Sequence, residues 1–249
     1  MNLSKNQIRI LIISNISCWV IIFSFLLMSF TEEENEKFKI LTAERINIVN
    51  EDGTTVIAIA NKQRIANPVF NGKSYPVRLS EGRDLMAGMI FFNEEGDEMG
   101  GLVFNSFKMP NGRTAGIGHL SFDRFKDNQV INLEYSENKN GVKSGLTFYD
   151  RPGDGSFPRS LDLMNDYYFN EIDKERKKEI EDTLKIMRKT HAFGSDRLFI
   201  GSDNEVPQVT MKDVFGNERI KLFIDSSNVA KLQFFDEKGI VIGEFPNKK

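Results

Sequence analysis

Apolar residues follow three distinct rhythms along the chain. The first is continuous: residues 10–30 carry no charge and are dominated by Ile, Leu, Val and Phe. At about 1.5 Å per residue, a helix of that length covers roughly 30 Å, the thickness of a bilayer's hydrocarbon core. The second is alternation. Runs such as Ile46-Asn47-Ile48 and Leu232-Gln233-Phe234 read as strands with one apolar face. The third recurs every three to four residues: Phe169, Ile172, Ile180, Leu184 and Met187 predict one amphipathic helix over 166–190. Asp173, Lys174, Lys177, Lys178 and Glu181 form its solvated face, and Lys185, Arg188 and Lys189 near its C-terminus suit the helix dipole.

The alternating runs come in pairs around one turn phrase, Asn/Asp-x-x-Gly. Its four copies are Asn50-Glu51-Asp52-Gly53, Asn93-Glu94-Glu95-Gly96, Asp213-Val214-Phe215-Gly216 and Asp236-Glu237-Lys238-Gly239. Asn or Asp opens such a turn by bonding its own backbone, and Gly supplies the positive φ of a tight reversal. A mainly β fold follows, an antiparallel hairpin array built as a sheet, a sandwich or a solenoid. Irregular spacing between the second and third copies argues against a strict solenoid. The turns are acidic, but none has the Asp-x-Asp-x-Asp-Gly oxygen spacing of a calcium loop. Pro152, Gly153, Gly155 and Pro158 predict a loop over 152–165. The expected organisation is a tail (1–9), a span (10–30), an acidic linker (31–39), a β region (40–151), the loop, the helix and a C-terminal hairpin region (197–245). Both β regions repeat one phrase, so one continuous sheet can hold them.

Charge orients the span. Lys5 and Arg9 precede it, and Glu32, Glu33, Glu34 and Glu36 follow. The positive-inside bias places the N-terminus in the cytoplasm and the remainder outside. A retained anchor is favoured over a cleaved signal peptide. The run exceeds the usual apolar core, and Leu26-Leu27-Met28-Ser29-Phe30 crowds any cleavage point. A lipoprotein signal fits poorly too, because Cys18 follows Asn15-Ile16-Ser17 and apolar residues continue beyond it. Asn15 is placed to face a partner helix or to lie near the span's end. The formal net charge is -3. With two basic residues before the span, the outer part is more acidic still, which disfavours nucleic acid as a partner. Cys18 is the sole cysteine, so the outer part has neither a disulfide nor a thiolate metal site.

Chemistry-bearing residues concentrate in Gly118-His119-Leu120-Ser121-Phe122-Asp123-Arg124-Phe125-Lys126-Asp127-Asn128-Gln129. On a strand, His119, Ser121 and Asp123 share one face. Neighbours on that face stand roughly 7 Å apart, too far for a local triad, which needs direct hydrogen bonds. Asp123, Asp127 and Asp150 are candidates for a carboxylate pair across a cleft, with His119 beside them. There is no phosphate-binding glycine loop, nucleophile elbow or His-x-x-x-His spacing, so no cofactor and no metal is expected.

Several phrases carry a resemblance. They are Glu44-Arg45-Ile46-Asn47-Ile48-Val49 with Gly53; Ala87-Gly88-Met89-Ile90-Phe91-Phe92-Asn93 with Gly96, Glu98, Gly100, Gly101 and Leu102; His119-Leu120-Ser121-Phe122-Asp123 with Asp127, Gln129 and Val130; Asp150-Arg151-Pro152; and Phe235-Asp236 with Gly239, Val241 and Ile242. Together they resemble a family of uncharacterised bacterial proteins with an N-terminal membrane segment. The resemblance implies a bacterial source and marks 119–129 and 150–152 as family motifs, with no activity attached. The expectation is a single-pass membrane protein whose outer β domain binds or scaffolds, contacting the bilayer through residues 10–30 and an envelope polymer or protein beyond it. The competing expectation is an envelope-glycan hydrolase built on the acidic residues named above.

Overall fold

A computed structural model describes residues 4–28, 37–80 and 82–246. The chain divides into two units, Met1–Thr42 and Ala43–Lys249. The first holds α1 (Lys5–Met28), whose stretch Lys5–Ser24 is long and apolar enough to cross a membrane. The Ser17 and Ser24 hydroxyls donate to the carbonyls of Ile13 and Val20, at 2.9 and 2.8 Å. These polar groups are thus satisfied within the helix, as a bilayer requires. The end of the expected span and most of the acidic linker, residues 29–36, lie outside the described residues.

The second unit is mainly β. Its strands are β1 (Arg45–Val49), β2 (Thr55–Ala60), β3 (Val69–Phe70), β4 (Lys73–Ser74), β5 (Ala87–Phe92), β6 (Glu98–Lys108) and β7 (Thr114–Asp123). They continue with β8 (Gln129–Asn138), β9 (Gly141–Asp150), β10 (Ser195–Asp203), β11 (Val206–Lys212), β12 (Glu218–Ile224), β13 (Ala230–Phe235) and β14 (Val241–Phe245). β3 and β4 form a small hairpin. The other strands make one 12-stranded antiparallel sheet in chain order. The two expected β regions therefore share a sheet, joined where β9 pairs with β10.

All four turn phrases form the same reversal. The first residue's N–H bonds the carbonyl four residues on, and the Gly N–H returns to the first carbonyl. Gly53, Gly96, Gly216 and Gly239 have φ of 76–88°. In three copies the Asn93, Asp213 or Asp236 Oδ1 accepts two further amides. Asp225–Asn228 is another copy, with Asn228 at φ 63° in the Gly position. Oxygens spent on backbone amides in this way are what a solvated turn uses.

Two cross-strand rows span the whole sheet without a break. One runs Ile48, Ile57, Phe91, Gly100, Phe122, Ile131, Phe148, Leu198, Met211, Ile220, Phe234, Gly243. The other runs Ile46, Ile59, Met89, Leu102, Leu120, Leu133, Leu146, Ile200, Val209, Leu222, Leu232, Phe245. Directly paired residues share a face, so every side chain on this stripe is apolar and the two gaps are Gly. None of these side chains is buried. The opposite face is covered at one end by the crossover 61–86, where Ala58, Ile65, Ala66, Ile90 and Val103 form a small core.

The helical region differs from the expected one. The predicted loop 152–165 is largely helix α2 (Ser156–Phe169), and the predicted single helix 166–190 is broken into the end of α2 and α3 (Lys174–Lys189). Pro158 falls in the first turn of α2, where a missing N–H costs nothing. Asn170 is extended, and Asp173 caps α3 by accepting the Arg176 N–H at 2.7 Å. Leu161 of α2 packs with Phe70 and Tyr75 of the small hairpin region. Asp162 accepts the Tyr75 hydroxyl at 2.9 Å and pairs with Lys73.

Gly100 sits at φ 120°, and a Cβ there would lie 2.2 Å from the Ser121 carbonyl oxygen. Gly53 has φ 88° and open space. Gly100→Ala is expected to lower stability by about 3 kcal/mol, and Gly53→Ala by about 1 kcal/mol. Denaturant midpoints of the two variants check the difference.

Candidate functional site

The polar centre of the domain forms where β6 begins, β7 ends and the crossover returns. Arg83 lies in a short 3-10 turn, Arg83–Leu85, entered through Gly82 at φ 74°. Its Nε donates to the Ala66 carbonyl at 2.8 Å, and its Nη1 donates to both Glu98 carboxylate oxygens at 3.0 and 2.8 Å. Both side chains are buried. Among the described residues, Arg83 Nη2 has no protein partner, nor has Asp123 Oδ1 on β7, also buried.

Burial, then the nearby Glu98 charge, pushes the Asp123 carboxyl up to about 8, against the pull of Arg151 and Arg83. Burial raises Glu98 too, opposed by Arg83. At neutral pH Asp123 is therefore largely a neutral carboxylic acid, able to donate a hydrogen bond or a proton. It lines a cavity of about 250 Å³ whose other walls include Phe70, Leu79, Phe157, Leu161 and Met164. A second cavity of about 240 Å³ holds His119, Ser121 and Glu134. Ser80, Arg83, Glu98 and Gln129 line both.

The four sequence candidates are thus dispersed. His119 and Asp123 line different, adjoining cavities, and His119 Nδ1 stands 3.8 Å from Glu134, beyond hydrogen-bond length. Asp127 is spent on backbone: its oxygens accept the amides of Asn128 and Gly153, both at 2.7 Å. Asp150 pairs with Arg197 on the neighbouring strand and lines neither cavity. The 119–129 and 150–152 motifs do meet, through backbone. Arg151 donates from Nε to the Gln129 carbonyl and from Nη1 to the Phe193 carbonyl, both at 2.6 Å, and Arg124 returns a bond to the Arg151 carbonyl. These contacts fix where the chain leaves the sheet for the helices and where it returns.

No family model, curated protein or solved structure matches this chain. Its chemistry is read from its own geometry. Among the described residues, no group of three or more His, Cys, Asp or Glu is placed to hold a metal ion. Sequence reasoning missed Arg83 as the partner of Glu98. Arg83 next to Gly82 looks like any polar turn, and the pairing is made only by the crossover's path.

Two outcomes are expected. Arg83→Leu leaves Glu98 buried and unpaired, and should cost about 3 kcal/mol. Between pH 4 and 8 the folded chain holds a proton on Asp123 that the unfolded chain has released, so stability falls as pH rises through that window. In Asp123→Asn that fall should be smaller. Thermal midpoints at pH 5 and pH 8 measure both.

Proposed function

We propose that this chain is a single-pass, membrane-anchored protein of the bacterial envelope, its β domain outside the cytoplasmic membrane acting as a non-enzymatic binding or scaffolding module. One observation carries the reading: an unbroken apolar stripe crosses all twelve strands of the sheet. Monomeric soluble proteins rarely leave such a surface open, and a large one marks an interaction site. The helix Lys5–Met28 supports the anchor, and Lys5 and Arg9 before it support a cytoplasmic N-terminus.

A second reading is favoured by one group, the neutral Asp123 facing its cavity. It is a hydrolase acting on envelope glycan through carboxylates among Asp123, Asp127 and Asp150 with His119. Asp127 is committed to backbone amides and Asp150 to Arg197, so these carboxylates do not converge with Asp123 on one cavity, which places this reading second.

The test has two arms. A reporter fused after Lys249 should be active outside the cytoplasm and pellet with membranes; a cytoplasmic reporter overturns the anchor's orientation. Purified full chain should release no reducing ends from envelope glycan. Release by the wild type that Asp123→Asn abolishes would put the hydrolase first.

A further inference from the structure

We infer that the apolar stripe is a self-association surface, and that its occupant is a second copy of this chain. The inference rests on the scaffolding reading and specifies the partner.

The stripe's dimensions match a protein interface. Eleven strand spacings of about 4.8 Å give a length of roughly 50 Å, and two residue rows with their side chains give a width of roughly 13 Å. The product, roughly 700 Å², approaches the approximately 800 Å² that each partner contributes to a standard stable interface. It also exceeds the roughly 300–600 Å² typical of the largest patch on a monomer.

The stripe is not built as a solvated face, and the same sheet shows what one looks like here. On β12, β13 and β14 the residues between the two rows are Lys221, Gln233 and Glu244, paired across the strands on the opposite side. On the stripe the same strands present Ile220 with Leu222, Leu232 with Phe234, and Phe245. Leu222 is 50% exposed and Phe245 69%. No charged side chain stands in either row. A nucleic acid or an anionic headgroup therefore has nothing to pair with. The partner must be apolar, about 50 Å long and ribbed at the strand spacing, and this sheet is itself such a surface. Two sheets of equal twist pack face to face about 10 Å apart with their strands nearly aligned.

A photoreactive phenylalanine analogue at Leu133, which is 54% exposed, tests this in the full chain in native membranes. A probe at Lys185, exposed on α3, is the control. The expected product is a crosslink at Leu133 with twice the chain's mass, absent from the Lys185 sample. A Leu133 crosslink to a different protein overturns self-association but keeps the scaffolding reading. Labelling of lipid alone, or no product, overturns both. A second measurement needs no probe. The triple variant Leu102→Lys, Leu133→Lys, Ile200→Lys should keep the wild-type far-UV circular dichroism in nanodiscs while its protein mass falls to one chain. A wild type of one chain, or a variant mass equal to a multimeric wild type, contradicts the inference.

Discussion

Cross-strand register is the constraint on which the rest of the structure depends. Each strand contributes two stripe residues, i and i+2, with no irregularity between them. The bulges fall outside, between Ile48/Val49, Phe91/Phe92, Phe122/Asp123, Asp196/Leu198, Met211/Lys212 and Phe234/Phe235. A one-residue slip in any hairpin would turn that strand's apolar pair to the other face and set polar residues into the stripe. In five hairpins the repeated turn prevents this. Its Asx oxygen and positive-φ closing residue fix the loop length, and the loop length fixes the register. Gly100 shows how tightly the strands are set, since its α-carbon has no room for a side chain beside Ser121.

That constraint leaves the domain with its apolar stripe on the open side and its buried polar groups on the covered one. Ser121, Asn132, Thr147 and Thr210 are buried between the rows, on the side that the crossover also packs against. There Arg83 ties the crossover to the sheet, its Nη1 on the Glu98 carboxylate and its Nε on the Ala66 carbonyl, beside the small apolar core. A buried ion pair adds little net stability, but it penalises any arrangement that leaves one partner alone. Asp127, Arg124 and Arg151 do similar work at the junction with the helices. The polar centre thus positions segments, and the apolar stripe is the surface left for contact.

Much of this was legible in the residues and some was not. Alternation identified the strands of four hairpins, and the four Asn/Asp-x-x-Gly phrases located the turns between them, because both signals are local. The helix at Lys5–Met28 was equally clear, since length and lack of charge are read directly. The start of α2 was hidden by Pro152, Gly153, Gly155 and Pro158, which write a loop and a first helical turn in the same letters. Asp123 was marked as a candidate, but not its neutral state, which depends on burial and on Glu98. The stripe was invisible as a whole. Each run showed its own alternation, but only the pairing of twelve strands puts Ile48 and Phe234 in one line.

The central claim is that the stripe is covered in the working protein, although in a single chain it is open. Hydroxyl-radical footprinting of the full chain in its membrane tests this most directly. Phe122, Met211 and Phe234 are 53%, 46% and 40% exposed in one chain, and Tyr168, off the stripe, is 69% exposed. Compared with the chain diluted to a single copy per nanodisc, the three stripe residues should lose most of their oxidation while Tyr168 keeps its own. Equal oxidation of Phe122, Met211 and Phe234 in both samples would contradict the account.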